Sequence, residues 1–212
     1  MRITKFGHAC VRIEHEGSVV VIDPGVFTDA EALDGASAVL ITHEHVDHYL
    51  PDHLKAVDVP VWTIDAVAAK IRIDAPDVAE RTTVVAPGQR FEAGGLPVTS
   101  VGELHAVIHP EFPRFHNSGY RIEAGGSTLF HPGDAIDQVE TGVDVLFLPV
   151  SAPWARSAEL IDFARAVRAP MSVAIHDRIY SEAGAGIFDQ HVNSFLPPAG
   201  LQYKRLADGE DL

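Results

Sequence analysis

Four side chains able to bind a metal fall within six positions, His43-Glu44-His45-Val46-Asp47-His48, directly after the apolar run Val39-Leu40-Ile41-Thr42. Such a run reads as a strand buried on both faces, and α/β proteins place their chemistry at the carboxyl ends of strands of this kind. The chain must therefore build a covered sheet that opens at one edge. In extended backbone alternate side chains share a side, so His43 and His45 can face one ion. After the chain turns, Asp47 and His48 can reach a second. A polar loop with incidental histidines would explain any one of these residues, but four in six positions after a buried strand are poorly explained by coincidence.

The same arrangement recurs downstream. Val98 to Glu103 precedes His105, Thr128 to His131 precedes Pro132-Gly133-Asp134, and Met171 to Ile175 precedes His176. Further strands are expected at Val11 to Glu14 and Val19 to Asp23, joined by a tight turn at His15-Glu16-Gly17-Ser18, and at Val59 to Thr63, Thr82 to Val85, Tyr120 to Glu123 and Val145 to Val150. Helical patterns cover Asp65 to Ile73 and Ser157 to Val167. In the second, Ser157 is expected to cap the first turn and Leu160, Ile161, Ala164 and Val167 form an apolar stripe. Many short strands with a few helices point to two sheets face to face with helices outside, a pattern that a plain α/β sheet would share. One domain over residues 1–212 is expected. The segment from His105 to Ser118, with Pro110 and Pro113 and no regular period, reads as a long loop bordering a pocket.

Sixteen basic residues against thirty acidic ones leave a formal net charge of -14, which disfavours long nucleic acids and membrane surfaces as partners. A small-molecule substrate fits better, and Arg114 or Arg178 can still hold one small anion. Assembly of identical copies is compatible with the sequence. Cys10 is the single cysteine, so a disulfide or thiolate cage within the chain is ruled out, and it reads as a small packing residue. The chain opens on strand-like alternation without an apolar signal segment, so a cytoplasmic, reducing location is expected. Imidazoles and carboxylates suit zinc, and also manganese or iron.

Taken together, these residues resemble the metallo-β-lactamase superfamily, and within it the compact UlaG-like or UPF0173-like hydrolases. His43 to His48 matches its His-x-His-x-Asp-His motif, and His105, Asp134 in His-Pro-Gly-Asp and His176 match the later motifs in order. Gly7-His8-Ala9 and Ile22-Asp23-Pro24-Gly25 are also similar to that subgroup. The resemblance implies a four-layer αββα sandwich, one metal on His43, His45 and His105, a second on Asp47, His48 and His176, and Asp134 between them. His45 stands where the flavodiiron proteins of the superfamily usually carry a carboxylate, which favours hydrolysis over redox chemistry.

Two divalent ions about 3.5–4 Å apart can hold a water between them and lower its pKa from about 15.7 to about 7, which gives a hydroxide nucleophile at neutral pH. The expected reaction is attack of that hydroxide on a small ester, lactone or amide. Phosphodiester hydrolysis on a small or cyclic nucleotide is the alternative, and a non-hydrolytic metal or redox module is the reading from another class. Asp47 and Asp134 are the carboxylates expected at the reacting centre, as ligands first. Asp23 is expected to accept a hydrogen bond from a ligand histidine, and His8 to lie behind the ligands at most. His131 reads as a satisfied strand histidine and His109 as a loop residue. His116, Arg114, Trp154 and Arg178 are candidate substrate contacts, although an ordinary surface or core role is the safer expectation for Trp154.

Overall fold

The computed structural model describes residues 1–212, and its thirteen strands form two sheets in plain chain order. The first sheet contains β1 (Arg2–Phe6), β2 (Cys10–His15), β3 (Ser18–Ile22), β4 (Ala38–Leu40), β5 (Val61–Thr63) and β6 (Thr82–Val84). The second contains β7 (Arg90–Ala93), β8 (Leu96–Val101), β9 (Gly119–Ala124), β10 (Ser127–His131), β11 (Val145–Pro149), β12 (Met171–Ile175) and β13 (Gln202–Lys204). Each sheet begins as an antiparallel meander and ends parallel, the change falling at β3 and at β10. In consequence β1, β3 and β4 run the same way in one sheet, as do β8, β10 and β12 in the other. The loops that leave these strands are the ones that carry the candidate residues.

Five helices cover the outer faces: α1 (Pro51–Lys55), α2 (Asp65–Asp74), α3 (Pro76–Ala79), α4 (Ser157–Val167) and α5 (Glu182–Phe195). The apolar side chains divide accordingly. One cluster, with Ile13, Leu40, Ile122 and Phe147, fills the space between the sheets. A second packs α4 and α5 on Leu146, Leu148 and Ala174, and a third packs α1 to α3 on Val21, Val39 and Val61. These are the four layers of the expected αββα sandwich. Burial on both faces explains why β4 and β11 read as continuous apolar runs: Leu40 and Phe147 point to the middle, Val39 and Leu146 to the helices.

Some elements differ from expectation. Ser157 is the first helical residue of α4, not its cap; Arg156 is the cap, and its backbone N–H donates to Glu159 Oε2 at 2.9 Å. The glutamate three residues on accepts the cap residue's own N–H, the second half of a capping box, while the side-chain acceptor expected of a serine cap is missing. β7, β13 and α5 were not anticipated. In α5, Gly184 and Gly186 weaken the helical signal, yet Ala185, Phe188 and Val192 form a buried face and Ser181 Oγ accepts the Gly184 N–H at 3.3 Å. No helix is long and apolar enough to cross a membrane.

Candidate metal centre

Every candidate ligand lies just beyond a strand that ends at the common edge. His43 to His48 follow β4, His105 follows β8, Asp134 follows β10 and His176 follows β12. The structure brings all seven together around Asp134. Its Oδ1 lies 3.2 Å from His48 Nε2, and its Oδ2 lies 3.2 Å from His176 Nε2, 3.3 Å from His105 Nε2 and 3.9 Å from His43 Nε2. His43 Nε2 and His45 Nδ1 approach to 3.0 Å. Asp47 Oδ2 lies 3.3 Å from His176 Nε2 and 3.9 Å from His48 Nε2. His43, His48, His105, Asp134 and His176 are almost wholly buried.

What aims these rings is the hydrogen bond each makes at its far nitrogen. His105 Nδ1–H donates to Ala106 O, His176 Nδ1–H to Ser151 O and His48 Nδ1–H to Asp23 Oδ2, each at 2.7 Å. His43 Nδ1–H donates to Thr42 Oγ1 at 3.0 Å, and the Thr42 hydroxyl donates to Asp23 Oδ2 at 2.7 Å. Asp23 therefore fixes the tautomers of two imidazoles, one directly and one through Thr42. With Nδ1–H committed outward, the bare Nε2 atoms of these four histidines face one another across the centre.

Those inward atoms are the test of fit for a metal. His48 Nε2, His105 Nε2, His176 Nε2 and Asp134 Oδ1 are buried and have no hydrogen-bond partner; their approaches to one another lack hydrogen-bond alignment. Buried polar atoms are rarely left so, and divalent ions are what lone pairs of imidazole and carboxylate jointly satisfy. Two groupings close enough to share an ion are His43, His45, His105 and Asp134, and His48, Asp134 and His176. Asp134 is common to both.

A third close grouping is His8, Asp47 and His176. Here His8 has the opposite tautomer. Its Nδ1 accepts the Arg178 N–H at 3.0 Å, so its proton is on Nε2, which points at Asp47 Oδ2 from 3.4 Å. Burial holds its pKa down to about 4, which keeps the ring neutral, with Nε2 turned toward Asp47 but buried without a hydrogen-bond partner.

The backbone around the centre is tightly constrained. Asp23 and His176 have φ of 51° and 57°, the left-handed region that few non-glycine residues adopt. A Cβ at Gly25 would overlap the Asp47 carbonyl, and one at Gly133 would overlap the Asn117 amide. Asn117 holds the Pro132-Gly133-Asp134 turn from both sides, accepting the Asp134 N–H at 3.0 Å and donating to Pro132 O at 2.9 Å. The roles of Thr42, Asn117 and Ser151 were not anticipated in the sequence; each acts through one or two polar atoms that leave no pattern to reveal them.

The candidate substrate residues separate. Trp154 does reach the centre: Nε1–H donates to Asp134 Oδ2 at 3.2 Å and the ring lies 5.6 Å from that of His105. Arg114 is committed elsewhere, donating to His105 O at 2.9 Å and to Asp137 Oδ2 at 3.1 Å, so it supports the loop. Its expected role as an anion contact is not what the contacts favour. His116 pairs its backbone with Leu104 and lines a separate cavity of about 420 Å³ with Ile64, Glu103 and Ser118, which none of the seven central residues lines. Arg178 is exposed at the rim, without a carboxylate partner. His131 is satisfied as expected, its Nε2–H donating to Ala9 O at 2.9 Å. Cys10 is buried, and burial pushes its thiol pKa up.

Without metal, the centre is an ion-pair network. Burial opposes every charge in it, but Asp134 and Asp47 carry His176 up to about 9, and Asp134 with Asp23 holds His48 well above its usual value. The same contacts, against the cost of burial, keep Asp134 and Asp47 well below the carboxylate range. Zinc added to the metal-free protein at pH 7 is therefore expected to release protons from His48 and His176, read with an indicator dye in weak buffer. Absence of release would contradict their protonated state. The sign for stability follows: the raised His176 contributes in full below about 6.5 and its contribution is lost as pH rises through about 9. The depressed carboxylates contribute above about 3.8 and lose their contribution as pH falls below it. Denaturant midpoints of the metal-free protein should decline on both sides of this window.

Comparison with known proteins follows the same lines. Residues 2–176 match the family model described as the β-lactamase superfamily domain. The chain is 37% identical to Protein Rv0786c of Mycobacterium tuberculosis over 89% of both chains, and 30% identical to a UPF0173 protein of Pyrococcus furiosus over 86% of both. Other relatives carry the name UPF0173 metal-dependent hydrolase. Among solved structures, Igni18, a metallo hydrolase from Ignicoccus hospitalis, superposes with a TM-score of 0.74 at 18% identity, covering 100% of this chain and 97% of that one; at that identity the likeness shows the fold.

Proposed function

This chain belongs to the β-lactamase superfamily as a metal-dependent hydrolase of the UPF0173 group, and we propose that it hydrolyses a small ester, lactone or amide at a two-metal centre. The observation that carries this reading is Asp134, whose two oxygens face inward imidazole nitrogens on both sides. His43, His45 and His105 would hold one ion, Asp47, His48 and His176 the other, and Asp134 would lie between. Divalent ions held there supply Lewis acidity and make water acidic enough to attack at neutral pH.

The protein's own groups do the positioning. Asp23 keeps His48 and His43 in the tautomer that leaves Nε2 bare. Trp154 Nε1–H donates to the Asp134 oxygen that faces His105 and His176, and His8 Nε2 lies 3.4 Å from the Asp47 oxygen that faces His176. None of these groups is a nucleophile, so the ligand set requires no serine or cysteine to begin the reaction.

Zinc-loaded and manganese-loaded protein tested on a lactone and ester panel beside a phosphodiester panel decides the substrate class. Turnover of the first, abolished by chelation and restored by metal, is expected. Turnover of phosphodiesters alone would overturn the choice. Asp23→Ala is expected to weaken metal affinity by about 10–100-fold, read by competition with a chromogenic chelator. An unchanged affinity would remove Asp23 from the account.

A further inference from the structure

Sixteen large apolar side chains are exposed, and nine of them lie in loops 24–28, 44–47, 105–116 and 177–181, which carry or adjoin the centre. That concentration is not the scatter expected of ordinary surface. Val46, 64% exposed, stands inside the ligand motif itself, and Phe112, 60% exposed, stands in the loop after His105. Two of the aromatic members reach the centre, Phe115 on a candidate ligand ring and Phe27 on the His8 ring behind Asp47. Phe115 packs edge-on at 4.6 Å between ring centres against His45, and Phe27 at 5.3 Å against His8. Val107 and Trp154 line a cavity of about 220 Å³ together with Ile136, Arg114, Asp137 and Glu159.

The cations of these loops are Arg114 and Arg178, and Arg178 is exposed without a carboxylate partner. The Arg114 guanidinium is bonded to His105 O and Asp137, so the Phe112–Phe115 side offers an approaching molecule no free cation. Because Phe115 lies on the ring of His45 and Phe27 on that of His8 beside Asp47, a protein covering them would close the site, whereas a substrate must pass them to reach it.

Resting on the hydrolytic reading above, we propose that the substrate carries a large apolar group, an alkyl chain or aryl ring, beside the bond that is cut, and that Phe112, Phe115, Val46 and Phe27 hold this group. The rim then selects amphiphilic esters, lactones or amides over small polar ones.

The test is a homologous series. With zinc-loaded protein, kcat/KM on p-nitrophenyl esters and on γ-alkyl lactones should rise by about twofold to fourfold for each added methylene up to about eight carbons, and Phe112→Ser and Val46→Ser should flatten that slope. In parallel, the n-alkyl carboxylates of the same lengths should raise the melting temperature of the zinc-loaded protein increasingly with length. Equal rates and equal binding for two- and eight-carbon members would overturn the apolar preference while leaving the hydrolytic reading intact. No turnover of any member, with length-dependent binding retained, would overturn the hydrolytic reading and keep the apolar group. Sedimentation is the remaining arm: a stable dimer that both serine substitutions dissociate would assign the rim to a second copy of the chain and overturn the proposal.

Discussion

Replacing Asp134 with alanine is expected to lower hydrolysis at least a hundredfold to a thousandfold and to reduce the bound metal. The reason is geometric. Asp134 is the one residue within 3.2–3.3 Å of His48, His105 and His176, so its loss leaves the inward nitrogen of His105 without a carboxylate and those of His48 and His176 with Asp47 alone. Asp134→Asn separates charge from shape, since Asn117 fixes the backbone of the turn whichever side chain stands at 134. It should fold and still lose metal. Elemental analysis with rates on the best ester or lactone checks both variants. Full metal content with full activity in Asp134→Ala would contradict the shared position assigned to it.

Lys5→Met should produce the largest loss of stability, about 3–5 kcal/mol, out of the 5–15 kcal/mol typical of a whole protein. Lys5 Nζ donates to both oxygens of Asp177, at 2.8 and 2.6 Å, and the two side chains are only 5% and 9% exposed. Removing the ammonium strands a carboxylate out of water, next to His176. Because that loop also bonds His8 through the Arg178 N–H, metal affinity should fall as well. In the double variant Lys5→Met with Asp177→Leu the stranded charge is gone, and most of the stability should return. Equal denaturant midpoints for wild type and Lys5→Met would show the pair to be worthless.

The seven central residues were legible because each ends an apolar strand, and strand ends are readable from local pattern alone. Val39 to Thr42 gave the direction of the chain and the position of His43 in one stretch of sequence. The layers were legible for the same reason: β4 and β11 are apolar without alternation, which requires cover on both faces. What escaped was contact between distant segments. Asn117 reaches Asp134 through one hydrogen bond and Ser151 reaches His176 through three, none of which leaves a periodic trace. Neither the tautomer of His8, set by the Arg178 N–H, nor the diversion of Arg114 to Asp137 could be read, because both depend on how loops from the two sheets meet. Trp154 was named as a candidate substrate contact with an ordinary role as the safer expectation, because an indole near a loop proline packs far more often than it meets a ligand.

The metal content of the freshly purified protein, measured by elemental analysis beside Asp134→Ala, bears most directly on the two-metal centre. About two zinc, manganese or iron ions per chain in the wild type, removed by chelation and regained on incubation with metal, are expected, with the variant well below that. A wild-type protein that carries no metal and takes up none would contradict the centre outright.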